Sequence, residues 1–115
     1  MKRFDQMAVI EQPGCAEQLA RFFSQVLPIR LPVQVTALRR GGAKLRDATV
    51  LEFGSVQHAI FASNLPLEFD DHVRLQRAPQ GPEADAVVVA VHYHEGQKAV
   101  AVRFTQGPCN WTRQL

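Results

Sequence analysis

The sequence lacks the features that mark a membrane protein, a secreted disulfide scaffold or a strongly basic nucleic-acid binder. No apolar run approaches the roughly 20 residues that a membrane-spanning helix needs. The N-terminus carries acidic residues early and has no long apolar centre, so it does not resemble a secretory signal. Two cysteines, Cys15 and Cys109, are too few for a disulfide framework, which favours a reduced, cytoplasmic protein. A net charge of +2 is too small to indicate nucleic acid as a partner.

The residues that carry enzyme chemistry are also missing as a set. The sequence shows no nucleophile–base combination, no phosphate-binding loop and no metal-ligand constellation, so we expect a protein that is not an enzyme, without a metal or cofactor. Cys109 has no neighbour that would activate it. The acidic group at residues 68–71 is predicted to be a solvated turn. His92 and His94 share one strand face and supply only half of a zinc site, so we interpret them as the exposed end of a hairpin.

The sequence does contain one helical pattern, near the N-terminus. In a chain of 115 residues that is 46% hydrophobic, a single domain with a real core is expected. Residues 7–10 fit either a short strand or a helix start. Helical spacing of apolar residues then predicts an amphipathic helix over about 15–27, which ends before Pro28. Its apolar face contains Phe22 and Phe23, and we expect this face to plug the end of a barrel or to contact a second copy of the chain.

After this helix, the pattern indicates β-structure. Strands are predicted at 31–38, 43–53, 57–63, 72–77, 87–91 and 99–104. The second of these changes its alternation near Asp47 and Ala48, which suits a bulge. The last two form a valine-rich hairpin around a polar loop at 92–98, and both faces of its first strand are expected to be covered.

Six short strands predict a closed barrel, because closure removes exposed sheet edges. The predicted fold class is therefore mainly β: a six-stranded antiparallel barrel preceded by one amphipathic helix. The expected organisation is an N-terminal segment at 1–28, the barrel at 29–104 and a tail at 105–115 that contains Trp111.

Six stretches follow one another in a recognisable order over about two-thirds of the chain: residues 30–33, 48–54, 65–67, 71–75, 86–91 and 99–104. The last of them ends Val100-Ala101-Val102-Arg103-Phe104. In their order and spacing these stretches resemble the PilZ domain family, and the final one is typical of the last barrel strand of that family.

PilZ domains are typically bacterial receptors for cyclic di-GMP, and the resemblance implies a ligand site in two parts. One part is R-x-x-x-R before the first strand, whose guanidinium groups grip phosphate and guanine. Arg30 matches its second arginine, whereas Val26 occupies the place of the first. The other part is D/N-x-S-x-x-G near the end of the second strand. Here Glu52 takes the first place, Gly54 the place of serine and Gln57 the place of glycine.

These departures predict weak or no cyclic di-GMP binding, because an acidic lining disfavours a dianionic ligand. The residues that correspond to the family's ligand site are Arg30, Glu52, Gly54 and Ser55, with Arg39 and Arg40 as an alternative source of arginines.

The resulting hypothesis is a non-enzymatic, PilZ-like adaptor in bacterial cyclic di-GMP-linked signalling, which the resemblance connects with motility, pili or surface polysaccharide. Its expected partner is another protein, or a second copy in a homodimer, contacted through Phe22, Phe23 and Trp111. One alternative is a genuine cyclic di-GMP receptor with a non-standard arginine site. Another is a small barrel that binds nucleic acid through the basic strip at residues 39–46, against which the mild net charge counts.

Overall fold

In the part of the chain that the structure describes, six antiparallel strands form a closed barrel with one short helix beside it. A computed structural model of the chain describes residues 13–38, 42 and 44–111. The strand order around the barrel is β1-β2-β3-β6-β5-β4, and pairing of β4 with β1 closes it. The prediction of a mainly β, six-stranded antiparallel barrel with one helix is therefore confirmed. The elements are α1 (Cys15–Ala20), β1 (Leu27–Leu38), β2 (Lys44–Gly54), β3 (His58–Ala62), β4 (His72–Arg77), β5 (Glu83–His94) and β6 (Gln97–Phe104).

The predicted helix over 15–27 is wrong in its length, because α1 ends at Ala20. The chain then passes through turns and enters β1 at Leu27, which pairs with Gly54 of β2. Residues 21–26 form turns, in which the amides of Phe22, Phe23 and Val26 donate to carbonyls three residues earlier. Helical spacing of apolar residues is a weak guide, because tertiary context can override it. No helix in the described ranges is long and apolar enough to span a membrane. The element predicted at residues 7–10 lies outside the described residues.

The hairpin of β5 and β6 is longer than its valine-rich runs suggested. Pairing continues to His94 and Gln97, so the connection is the two-residue turn Glu95-Gly96 and not a loop over 92–98. Both turn residues have positive φ, 51° at Glu95 and 81° at Gly96, as a type I′ turn requires. This turn matches the twist of the two strands and lets them pair up to its edge.

The predicted bulge near Asp47 and Ala48 is also misplaced. Asp47 pairs in regular register with Val35, whereas the ladder between β2 and β3 shifts between Leu51 and Phe53. A further shift interrupts the pairing of β1 with β2 between Pro28 and Leu31. These irregularities lie close together at one end of β2, where they bend the barrel wall.

The barrel interior is filled by alternate side chains of the strands, and both of its ends are closed by loops. Leu67, in the connection between β3 and β4, is fully buried at one end. Cys109 and Trp111 pack against the core at the other end, where the Cys109 amide donates to the carbonyl of Val56 at 2.8 Å. Fully buried side chains inside the barrel include Leu51, Phe61, Leu75, Val33, Val35, Val73, Val88, Val100 and Val102.

Helix α1 lies against the outside of the barrel, so the expectation that it plugs an end is wrong. Its buried residues Cys15, Ala16 and Leu19 pack on Ile60 of β3 and on the outer alanines of β6 at 99 and 101. Small side chains on β6 let the helix approach the sheet closely. The helix therefore covers the outer face of β6, whose residues 99–102 are all buried. On β5, which was expected to be covered on both faces, Val89 and Ala90 pack against the same cluster but are only half-buried.

Candidate functional site

Arg30 and Glu52, the residues expected at the two parts of the ligand motif, lie at the bulged end of β1 and β2. Both are exposed and line one cleft of about 230 Å³. Each directly neighbours an inward-facing residue, Leu31 or Leu51, so the ordinary alternation of a strand directs both side chains outward. The other residues of the cleft are Gly14, Glu17, Ile29, Val50 and Phe53.

Glu17 is a cleft residue that the sequence did not reveal. In the sequence it belongs to the polar face of a helix, which is usually only solvated. Packing of α1 across the barrel places it beside Arg30 and Glu52, so the cleft contains two carboxylates and one guanidinium group. The net charge of these three side chains is therefore negative. The sequence predicted one acidic residue in this lining, Glu52, and the structure adds Glu17. No sequence signal identifies Glu17, because only the docking of the helix decides which residues it faces.

Gly54 and Ser55 do not line this cleft. Gly54 is buried at the end of β2, where it pairs with Leu27 and Ala59. The buried Ser55 hydroxyl accepts the amide N–H groups of Gln57 at 3.1 Å and His58 at 3.0 Å. These bonds hold the tight connection between β2 and β3. The structure thus gives Ser55 a role in the turn and separates both residues from Arg30.

The basic strip is only partly described. Arg39 and Arg40 lie outside the described residues. Lys44 and Arg46 are exposed on the outer side of β2, and Arg46 pairs across the ladder with Thr36 of β1. Neither basic side chain lines the cleft of Arg30 and Glu52.

The three candidate protein-contact residues lie in different environments. Phe22 is 81% exposed, in the turn after α1. Phe23 is half-buried, and its ring lies 5.0 Å from the ring of His58. Trp111 is half-buried against the barrel core. Phe22 and Phe23 therefore do not form one apolar face, because the helix that would have aligned them ends before both.

His92 and His94 lie within β5 and not in a loop. Their rings are nearly parallel, with centroids 6.3 Å apart. The His92 Nε2 atom lies 2.8 Å from Oε1 of Gln18, so this histidine ties the hairpin to α1. Among the described residues, no group of three or more His, Cys, Asp or Glu side chains is placed to hold a metal ion.

A larger cleft, of about 580 Å³, lies beside the C-terminal segment. Its charged residues are Arg74, Glu83 and Asp85. The Arg74 Nε donates to Oδ1 of Asp85 at 2.8 Å and lies 3.9 Å from Oε1 of Glu83. The hydrogen bond from Arg74 to Asp85 raises the pKa of the guanidinium group. Because this arginine is already paired with a carboxylate, it is poorly placed to bind an anionic ligand.

Comparison with models of known protein families gives no match, and neither does a search among curated proteins.

Proposed function

We propose that this chain is a PilZ-like adaptor: a non-enzymatic, cytoplasmic module of bacterial cyclic di-GMP-linked signalling that binds a partner protein. Motility, pili and surface polysaccharide are the processes that the resemblance suggests. In this proposal, cyclic di-GMP itself binds weakly or not at all.

The observation that carries the proposal is the cleft of Arg30 and Glu52 on a closed six-stranded barrel. The two stretches that resemble the separate parts of a PilZ ligand site supply neighbouring side chains, although they are more than 20 residues apart in sequence. The topology expected of such a domain and the convergence of its two motif regions both support the resemblance.

The composition of the same cleft argues for a weakened ligand site. Arg30 can grip one phosphate, but Glu17 and Glu52 face the same space and repel a dianionic dinucleotide. Val26, at the place of the first family arginine, is half-buried against the apolar cluster between α1 and the barrel. An apolar packing residue therefore stands where the family has its first guanidinium group.

Titration calorimetry with cyclic di-GMP at low salt tests this proposal. We expect the natural chain to bind weakly, close to the limit of detection. The double variant Glu17→Gln/Glu52→Gln removes two repulsive charges, each worth about 0.2–1 kcal/mol at an exposed site, and so strengthens affinity by about twofold to thirtyfold.

The matched control is Glu68→Gln/Glu95→Gln, which changes the net charge equally but at exposed positions outside the cleft. If the cleft is the binding site, this control variant has the same affinity for cyclic di-GMP as the natural chain. Tight binding by the natural chain would contradict the adaptor proposal and favour the receptor alternative with Arg30, Arg39 and Arg40.

A further inference from the structure

Strand β5 extends beyond its neighbour β4. β5 pairs with β6 as far as His94, but its last pair with β4 joins Val87 to His72, and no strand in the described part of the chain pairs with the rest of that edge. Beyond this pair, the loop before β4 bonds to Val88: the Asp70 amide donates to the Val88 carbonyl at 2.8 Å, and the Val88 amide donates to the Asp71 carbonyl at 2.9 Å. The barrel is closed, yet the end of β5 projects past its closing strand.

The geometry of the hairpin shows which backbone groups face this edge. In a two-residue type I′ hairpin, the closing pair is hydrogen-bonded, here His94 with Gln97. Hydrogen-bonded and non-hydrogen-bonded pairs alternate, so Val91 and Tyr93 direct their N–H and C=O groups away from β6. Among the described residues, no backbone group is hydrogen-bonded to either on that side. Two residues of β5 thus present a short template for another strand.

An apolar groove of about 350 Å³ follows this edge between β5 and the loop before β4. Phe69 and Tyr93 flank it and are 71% and 68% exposed. The loop is held in place, because Leu67 is fully buried and the Glu68 amide donates to Oδ2 of Asp71 at 2.9 Å. A large apolar side chain held in solvent by a fixed loop is typical of an interaction surface.

The rim of the groove is acidic. Glu68 and Asp70 are exposed beside Phe69, and Glu95 is exposed at the hairpin turn. Lys98 is a base near the groove: its Nζ donates to the Leu65 carbonyl at 2.8 Å and lies 5.7 Å from the centroid of the Tyr93 ring. A second copy of the chain paired through this edge would bring these carboxylates together, whereas a basic segment would complement them.

We propose that the free edge of β5 at Val91 and Tyr93 binds an extended, basic segment of a partner protein as an added strand. Its apolar side chains fill the groove between Phe69 and Tyr93, and its lysines or arginines face Glu68 and Asp70. Main-chain hydrogen bonds to β5 provide affinity, and the alternation of apolar and basic side chains along the segment provides specificity. This inference rests on the proposed adaptor function and names the surface that performs it.

Fluorescence anisotropy with a labelled peptide of about six residues, alternating lysine and valine, tests the inference on the full chain. We expect saturable binding. A peptide alternating glutamate and valine binds about tenfold more weakly or not at all, because it meets the acidic rim. A lysine–valine peptide with N-methylated amides also loses binding, because it cannot pair with a strand edge. Absence of binding by the first peptide, or equal binding by the N-methylated one, overturns the inference.

A matched pair of variants places the binding on β5. Tyr93→Pro removes the outward N–H group, and a proline is tolerated at an edge where the N–H faces solvent. Tyr93→Val removes the same ring but keeps the N–H group. We expect the proline variant to bind about tenfold more weakly than the valine variant. Equal affinities of two folded variants contradict strand addition, and the N-methylated peptide supplies the same test if Tyr93→Pro does not fold.

The calorimetric test of the adaptor proposal is independent of this result. If the peptide does not bind and the natural chain does not bind cyclic di-GMP tightly, the strand-addition inference is wrong but the adaptor proposal stands. Tight binding of cyclic di-GMP removes the adaptor proposal whatever the peptide does.

Discussion

His58 gives the folded chain a pH dependence. It lies on the outer face of β3, next to the Phe23 ring and paired across the ladder with Arg103. Burial, and then the positive charge of Arg103, lower the pKa of its imidazole. The folded chain therefore binds a proton less readily than the unfolded chain, so stability is full above about pH 6.5 and falls as the pH drops through the folded-state pKa.

We accordingly expect thermal unfolding temperatures to decrease between about pH 8 and pH 5, and His58→Gln to reduce that decrease. His72→Gln is the control, because His72 is exposed on β4. If the unfolding temperature of His58→Gln falls with pH as much as that of the natural chain, another group causes the pH dependence.

Leu67 is a residue whose importance only its position in the fold reveals. It is fully buried at the end of the barrel, within a connection that the sequence marks only as a turn. We expect Leu67→Ala to reduce the free energy of unfolding by about 2–5 kcal/mol in urea titrations, because it leaves a cavity between the strands. Phe69→Ala, two residues away and exposed, should change it by much less. Similar losses for both variants would mean that Leu67 does not seal the core.

At the scale of elements, α1 is held by packing and not by its own helical stability. Six residues are too few for an independent helix in water. Its position depends on small outer side chains of β6, and the Cys15 thiol donates to the His92 carbonyl at 3.4 Å. Burial raises the pKa of that thiol, so Cys15 should remain protonated and contribute as packing volume.

Ala101→Leu should therefore displace the helix. A larger side chain beneath Leu19 overpacks this layer and costs about 1–3 kcal/mol in urea unfolding. Tryptic cleavage after the exposed Arg21 should also become faster. The control is Ala62→Leu, the same change at an exposed position on the adjacent strand. If trypsin cleaves Ala101→Leu no faster than the natural chain, the position of the helix does not depend on these contacts.

At the scale of the whole molecule, the apolar side of α1 is already occupied by the barrel. Among the described residues of this region, Phe22 and Leu27 are the exposed large apolar side chains, and two side chains offer little area for a homodimer. We expect Phe22→Glu to leave both the fold and the mass by light scattering unchanged. Phe23→Glu should instead destabilise the chain, because Phe23 packs on His58. A fall from dimer to monomer mass in Phe22→Glu would restore the dimer hypothesis.

The sequence by itself determined the barrel. Alternating, β-branched strands separated by turn residues have few ways to bury their apolar faces, and closure is the one that leaves the least edge. The predicted span of β4 is confirmed, and the predicted hairpin of β5 and β6 is correct apart from its turn. Both features depend on residues close together in the chain.

The tertiary structure decided the end of α1, the outer face that this helix covers, and the convergence of Arg30 with Glu17 and Glu52. It also decided that β5 extends beyond β4, with Val91 and Tyr93 past its last pair with that strand. These features depend on contacts between segments distant in sequence. Local apolar spacing does not encode such contacts: residues 21–26 have the spacing of a helix, yet the folded chain turns there before Leu27 pairs with Gly54.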